Sequence, residues 1–276
     1  MAQSDLTRIA SNIAGLNALN ALKDINTKLG IHQLRLSTGK RINQAADDPA
    51  GLTIGVKFNY RVRGLGVAID NIGDAKNLLA VAEGGLSKIS DILLTIRDKT
   101  VQAASDTLSS AERDAIAAQV NQLLTEIDTI AKETKWNGKD LISGTGAFTF
   151  QTGVESGQYT EFSAQSANLT TLGLDGTLDL STYTAADAYI GTVDSAIETV
   201  SRSMTTIGAL VSRLTSKEEN LTIAKTNNEA AYSRIMNADM AAEQLEAMKL
   251  SILQQTATAM LAQANVAPQA VLSLFR

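Results

Sequence analysis

Apolar residues recur along this chain with a period that predicts its helices. From Ile72 they fall at Ala75, Leu79, Ala82, Leu86, Ile89, Leu93 and Ile96, in alternating steps of three and four. That spacing lines one face of an α-helix, and when sustained it makes helices wind left-handed around each other. A second run, Ile116, Val120, Leu123, Ile127 and Ile130, repeats it. A third fills eight slots at Ile190, Val193, Ile197, Val200, Met204, Ile207, Val211 and Leu214. Three coiled-coil helices are predicted, with a rod seam carried by Ile72, Leu79, Leu86, Leu93, Ile190, Ile197, Met204 and Val211. Burying one such side chain contributes about 1.5–3 kcal/mol before entropy, enough for helices that are marginal alone to hold one another. No proline lies between Pro49 and Pro268. The third run can therefore continue from about Ala185 toward Asn237, on the order of 75 Å of helix, and an elongated molecule is expected.

Between Asn137 and Ser181 the pattern changes. Gly138, Gly144, Gly146, Gly153, Gly157, Gly173 and Gly176 punctuate short segments containing Phe148, Phe150, Tyr159 and Phe162. Alternation there predicts one or two β-hairpins, expected at a solvent-facing tip joining antiparallel rods. Near the start, Leu36-Ser-Thr-Gly39 has the form of a helix end with Gly39 in the left-handed conformation. Asp48-Pro49 has the form of a helix start, with Asp48 as cap and Pro49 at the first helical position. The expected fold is mainly α: an elongated antiparallel coiled-coil helical bundle with a small β-hairpin insert at about 140–184, and paired N- and C-terminal helices. The domains expected are 1–43 and 236–276 as the two parts of a terminal-helix domain, and 44–235 as the rod domain.

Composition narrows the chemistry. Among 276 residues there is no cysteine and a single histidine, His32, which removes thiol nucleophiles, thiolate metal sites and multi-histidine sites. A formal charge of −5 argues against a nucleic-acid partner, which calls for a basic footprint. Gly64-Leu-Gly66 and Gly84-Gly85 complete neither dinucleotide nor P-loop motifs, and no nucleophile elbow is present. No enzyme, cofactor or metal is expected. Asp47 and Asp48 read as capping residues rather than cation ligands, which would need more oxygens nearby. His32 occupies a slot in the series Leu22, Ile25, Leu29, His32, Leu36 and reads as a seam residue. The Ser and Thr cluster from Ser163 to Thr184 fits either a solvated hairpin or O-linked sugar.

Both ends are uncharged over long stretches, Ile9 to Leu22 and Leu250 to Phe275. The second is long enough to cross a bilayer. Its Gln254, Gln255, Gln263, Asn265 and Gln269, with Pro268, are costly in hydrocarbon, so no membrane insertion is expected. No basic n-region with an apolar core opens the sequence, so no cleavable signal is expected. Both ends instead read as surfaces for burial against protein.

The segments Ile9-Ala-Ser-Asn-Ile13 and Leu36-Ser-Thr-Gly-Lys-Arg-Ile-Asn-Gln-Ala-Ala-Asp-Asp-Pro-Ala-Gly51 resemble the N-terminal signature of bacterial flagellins. Arg234-Ile-Met-Asn-Ala-Asp239, Ile252-Leu-Gln-Gln255, Leu261-Ala-Gln-Ala-Asn265 and Pro268-Gln-Ala-Val-Leu-Ser-Leu-Phe-Arg276 resemble the C-terminal one, and Trp136-Asn-Gly138 resembles the family's turn. The resemblance covers about the first 142 and last 90 residues. It implies a secreted subunit of the extracellular flagellar filament, a helical homopolymer used as a propeller in swimming and exported through the flagellar type III channel. Terminal helices would drive assembly, and the residues expected to carry it are Leu6, Ile9, Ile13, Leu16, Leu253, Met260, Leu261, Val271, Leu272 and Leu274. The partners implied are other copies of the chain, a flagellar export chaperone, hook-filament junction proteins and the filament cap. Only about 40 residues separate the rods, so a minimal form without variable outer domains is expected. Thr95, Lys99 and Gln119 stand where the family's innate-receptor site has an arginine, a leucine and a glutamate, so weak receptor activation is expected. Alternatives are a hook-filament junction protein, whose ends resemble flagellin, and an intracellular coiled-coil adaptor.

Overall fold

The computed structural model describes residues 12–273 other than 145, 165 and 177, with side chains through residue 266. The helices are α1 (Ile13–Thr38), α2 (Pro49–Ala103), α3 (Ser110–Glu133), the short α4 (Leu169–Leu172), α5 (Tyr183–Met236) and α6 (Met240–Ser273). Four strands lie between α3 and α4: β1 (Lys135–Trp136), β2 (Lys139–Asp140), β3 (Ala147–Gln151) and β4 (Tyr159–Ser163). The chain divides into two compact units, Met1–Tyr60 with Asn227–Arg276, and Arg61–Thr226.

Local chemistry sets the helix ends. Asn12 Oδ1 accepts from the Gly15 amide at 2.8 Å, satisfying one of the donors that open α1. Gly39, at φ 68°, closes that helix in the left-handed conformation, as the sequence predicts. Asp48 Oδ1 accepts from Gly51 N at 2.8 Å, the cap expected ahead of Pro49. Ser109 and Glu112 form a reciprocal capping box on α3.

In the unit Arg61–Thr226, α2, α3 and α5 enclose one hydrophobic core. Every slot of the α2 run from Ile72 to Ile96 is fully buried. Ion pairs Lys76 Nζ–Glu218 Oε2 at 3.0 Å and Arg97 Nε–Asp194 Oδ1 at 2.6 Å join late residues of one helix to early residues of the other. Helices α2 and α5 therefore run antiparallel here. On α5 the deepest line is Val193, Ala196, Val200, Ser203, Ile207, Leu210 and Leu214, while Ile190, Ile197, Met204 and Val211 are half-buried beside it. On α3, Leu124 and Ala131 are buried and Leu123 and Ile130 half-buried. A helix packed against two neighbours buries a wider arc than a two-stranded seam, so alternate slots move over by one residue while Ile116, Val120 and Ile127 on α3 and Val193, Val200, Ile207 and Leu214 on α5 stay buried where the period puts them.

The hairpins depart from the expected position at a tip. Asn137 (φ 48°) and Gly138 (φ 77°) make the two-residue turn between β1 and β2, whose paired positive φ values match the strand twist. Strands β3 and β4 pair antiparallel, with Phe148 opposite Phe162 and ring centroids 6.1 Å apart. Phe162 and Thr160 are buried and alternate with exposed neighbours, so one face of this hairpin lies on the rods. Side-chain atoms of Thr134 and Ile142 lie 2.7 Å and 2.9 Å from where a Cβ on Gly85 would sit, and Val154 comes equally close at Gly64. Asn71 Nδ2 donates to Gln151 O at 3.1 Å, and Lys217 Nζ donates to Thr152 Oγ1 at 2.6 Å. The insert thus runs along the flank of α2 from Gly85 back to Gly64. With 24 residues, α3 is too short to cover the whole of α2, and the hairpins continue the cover as far as Gly64. The end of this unit is formed by the turn 104–109 and the lead into α5, tied by Arg113, whose Nη2 donates to Ser105 O at 2.8 Å and Nη1 to Ser181 O at 3.4 Å.

Because Leu86 is fully buried, Leu86→Ala should lower stability by about 2–5 kcal/mol, read as a lower midpoint in thermal unfolding followed by circular dichroism. An unchanged midpoint would place Leu86 outside the core.

Candidate assembly surface

Helices α1 and α6 pack on each other. The less exposed positions of α1 are Gly15, Ala18, Leu22, Ile25, Leu29, His32 and Leu36, and those of α6 include Glu243, Ala247, Leu250, Gln254, Ala257, Leu261 and Ala264. Each line steps by three and four, so the two helices share a heptad seam. Asn12 Nδ2 donates to Ala264 O at 3.0 Å, and Gln254 Nε2 donates to Asn26 Oδ1 at 2.7 Å. Farther along, Glu243 meets His32 Nδ1 and, at 3.4 Å, Arg35 Nη1. The order of these contacts makes the pair antiparallel, and His32 lies in the seam with a carboxylate partner that its sequence position did not disclose.

The connector after α1 is fastened to the end of α5. Arg41 N donates to Met236 O at 2.8 Å, Ala238 N to Gly39 O at 3.0 Å, and the Arg41 guanidinium to Ile235 O at 2.9 Å through Nη2. Ile42 and Met236 are buried, and Met236 fills the space beside Gly55 that any side chain there would need. Asp47 Oδ2 accepts from the amides of Asn43 and Gln44, each at 2.9 Å, and these bonds hold its carboxyl below the ordinary aspartate pKa. Asp47 thus closes the connector, and Asp48 caps the next helix.

Beyond the seam, the outward sides of both helices remain apolar. Among the residues expected to carry assembly, Ile13 is 57%, Leu16 56%, Leu253 41% and Met260 65% exposed. Leu261 faces α1 instead and is half-buried. Leu6, Ile9 and Leu274 lie outside the described residues. Val271 and Leu272 lie in α6 beyond the described side chains. Sequence spacing had not singled out Leu19, Ile31 and Leu34 on α1, or Leu245, Met248, Ile252 and Val266 on α6, all of which are exposed. The signal was present as apolar residues on both sides of each helix. A helix apolar on both sides belongs in an interior, and a two-helix pair does not supply one. No described helix is long and apolar enough to cross a membrane.

The remaining expected positions lie in the other unit. Thr95 and Gln119 are exposed, on α2 and α3, and Lys99 is half-buried. Arg97 between them is held by Asp194, which raises its pKa above the ordinary arginine value. Among the described residues no His, Asp and Glu group is arranged to hold a metal.

Long helices that bury one seam and leave a second apolar side open define a helical structural protein with a surface left for burial against protein. The family model described as bacterial flagellin N-terminal helical region matches residues 9–147, and that described as bacterial flagellin C-terminal helical region matches 190–275. The flagellar filament 33 kDa core protein of Treponema phagedenis is 34% identical, covering 97% of this chain and 99% of that protein. The flagellin of Bacillus subtilis is 36% identical, covering 98% of this chain and all of that one. Among solved structures, Bacillus cereus flagellin aligns with a TM-score of 0.50 and 31% identity, over 59% of this chain and 94% of that one. The chain belongs to the bacterial flagellins. It is a structural filament subunit and not an enzyme.

As the Asp47 carboxyl titrates below its unfolded value, its contribution is present above the ordinary aspartate pKa and is lost as pH falls through the depressed folded value. Amide-exchange protection at Asn43 and Gln44 should therefore collapse on acidification, and Asp47→Asn should remove that dependence. Protection independent of pH in the wild-type chain would refute this.

Proposed function

We propose that the outward apolar sides of α1 and α6 form the contacts that polymerise this flagellin into its filament. The observation that carries the reading is the row Leu245, Met248, Ile252, Leu253, Met260 and Val266 on α6, all exposed although the seam with α1 is already filled. Covering that row with other copies removes apolar surface from water at about 25 cal/mol per Å². A head-to-tail interface that does not close on itself then propagates as a helical polymer. In this reading the heptad unit keeps its own core and acts as a rigid layer, while the terminal helices drive assembly. The uncharged stretches Ile9 to Leu22 and Leu250 to Phe275 support that division. The filament so formed is secreted and extracellular and serves as the propeller in swimming. Its further partners are an export chaperone, the hook-filament junction proteins and the filament cap.

The double substitution Ile252→Asp with Leu253→Asp should abolish seeded polymerisation, read by pelleting and electron microscopy, while circular dichroism shows the helical content retained. Filaments of normal length from that variant would end the assignment of this surface. Thr95, Lys99 and Gln119 predict a weak response in an innate-receptor reporter assay. Introducing Thr95→Arg, Lys99→Leu and Gln119→Glu together should raise potency by on the order of tenfold or more, since interface energy concentrates in a few side chains. A strong response from the unaltered chain would contradict this.

A further inference from the structure

Three of the six methionines, Met240, Met248 and Met260, stand exposed on α6, whereas Met236 is 6% exposed and Met204 is half-buried in the rod unit. Met248 at 54% and Met260 at 65% belong to the same open apolar row as Leu245, Ile252 and Leu253. Their thioethers are the chemically reactive groups in that row, because the neighbouring side chains are hydrocarbon and the chain has no cysteine to intercept an oxidant. We propose that Met248 and Met260 are an oxidation site through which hydrogen peroxide controls whether a subunit can join the filament. The inference rests on the assembly surface proposed above.

The chemistry is a two-electron oxygen transfer. A sulfur lone pair attacks one peroxide oxygen, the O–O bond breaks, and the sulfur–oxygen bond of the sulfoxide forms. The departing oxygen takes up the proton released from the transferred one and leaves as water. Sulfur is oxidised and peroxide is reduced. The product replaces a flexible apolar side chain by one with a strong hydrogen-bond acceptor. On the open face of a free subunit that acceptor is solvated and costs nothing. Pressed into an apolar contact between subunits it loses its water without gaining a donor, which opposes association. Assembly has the converse effect, since a covered thioether is out of reach of peroxide. Free subunits are therefore oxidant-sensitive at these two positions, and filament-embedded ones are protected.

The test treats full-length subunits and preformed filaments with hydrogen peroxide and follows each methionine by mass spectrometry, with Met236 as an internal reference. In free subunits Met248 and Met260 should oxidise at least severalfold faster than Met236. In filaments their rates should fall at least tenfold. Oxidised subunits should elongate seeds at least tenfold more slowly, and methionine sulfoxide reductase should restore the rate. The variant Met248→Leu with Met260→Leu should elongate after peroxide at the rate it shows before it. Equal rates at all three methionines, no protection in filaments, or unimpaired elongation by the doubly oxidised subunit would each overturn the proposal. So would peroxide sensitivity persisting in the double-leucine variant. If Ile252→Asp with Leu253→Asp blocks assembly while oxidation does not, the oxidation site alone fails. If neither has an effect, the assembly surface fails with it.

Discussion

The uninterrupted apolar stripe of α2 is the constraint on which the rest of its unit depends. Eight consecutive heptad slots from Ile72 to Ile96 are withdrawn from water, and no single partner can cover them. Helix α5 supplies one wall along its antiparallel path. Helix α3 supplies the second wall only for its own length, after which the chain changes to β-structure and continues the wall with hairpins. The insert is therefore part of the core's enclosure. Gly85 and Gly64 record this, because the hairpin side chains occupy the space where their own would stand. Polar contacts follow the apolar ones: Asn71 and Lys217 fasten the far end of the insert at Gln151 and Thr152 once the Phe face is seated.

The terminal unit obeys a different balance. Its seam is built partly from Gly15, Ala18, Ala247 and Ala257, small residues that bring α1 and α6 together while burying little surface. Hydrogen bonds from Asn12 and Gln254, and the Glu243 contact with His32 and Arg35, fix register where apolar burial is thin. A half-buried carboxylate shared by two such partners adds specificity more reliably than net stability. Further large apolar side chains stand on the outer sides, which is consistent with a pair whose interior is completed by polymerisation.

Much of this was legible in the sequence for physical reasons that can be named. The α2 run is buried slot for slot because α5 on one side and α3 with the hairpins on the other close over the same stripe. On α3 and α5 only alternate slots move over by one residue, Leu123 to Leu124 or Ile197 to Ala196, since the period gives the stripe but not the number of neighbours it must satisfy. Gly39, Asp48 and Pro49 act locally, and local chemistry is what residue type reports. The hairpins were recognised as hairpins from their glycines and alternation, yet their resting place was not. That place depends on a shape match with Gly64 and Gly85, far away in sequence. On the terminal helices, uncharged composition pointed to the right elements, but it did not separate Leu261, which faces α1, from Met260, which faces out.

The loop between β3 and β4 has one more consequence. Val154 on one side is lodged against α2 at Gly64, and Thr152 is bonded to Lys217, whereas Glu155, Ser156 and Gly157 are exposed. The incoming stem is thus anchored on the helices, and the outgoing one is tied to it by the bond from Thr152 N to Gln158 O at 3.0 Å. A foreign peptide spliced between Ser156 and Gly157 lengthens a loop whose closure entropy grows only slowly, by about 0.6 kcal/mol per doubling. Each subunit then carries one copy at a fixed point on a rigid support, and the polymer becomes a scaffold for regularly spaced antigen or enzyme display.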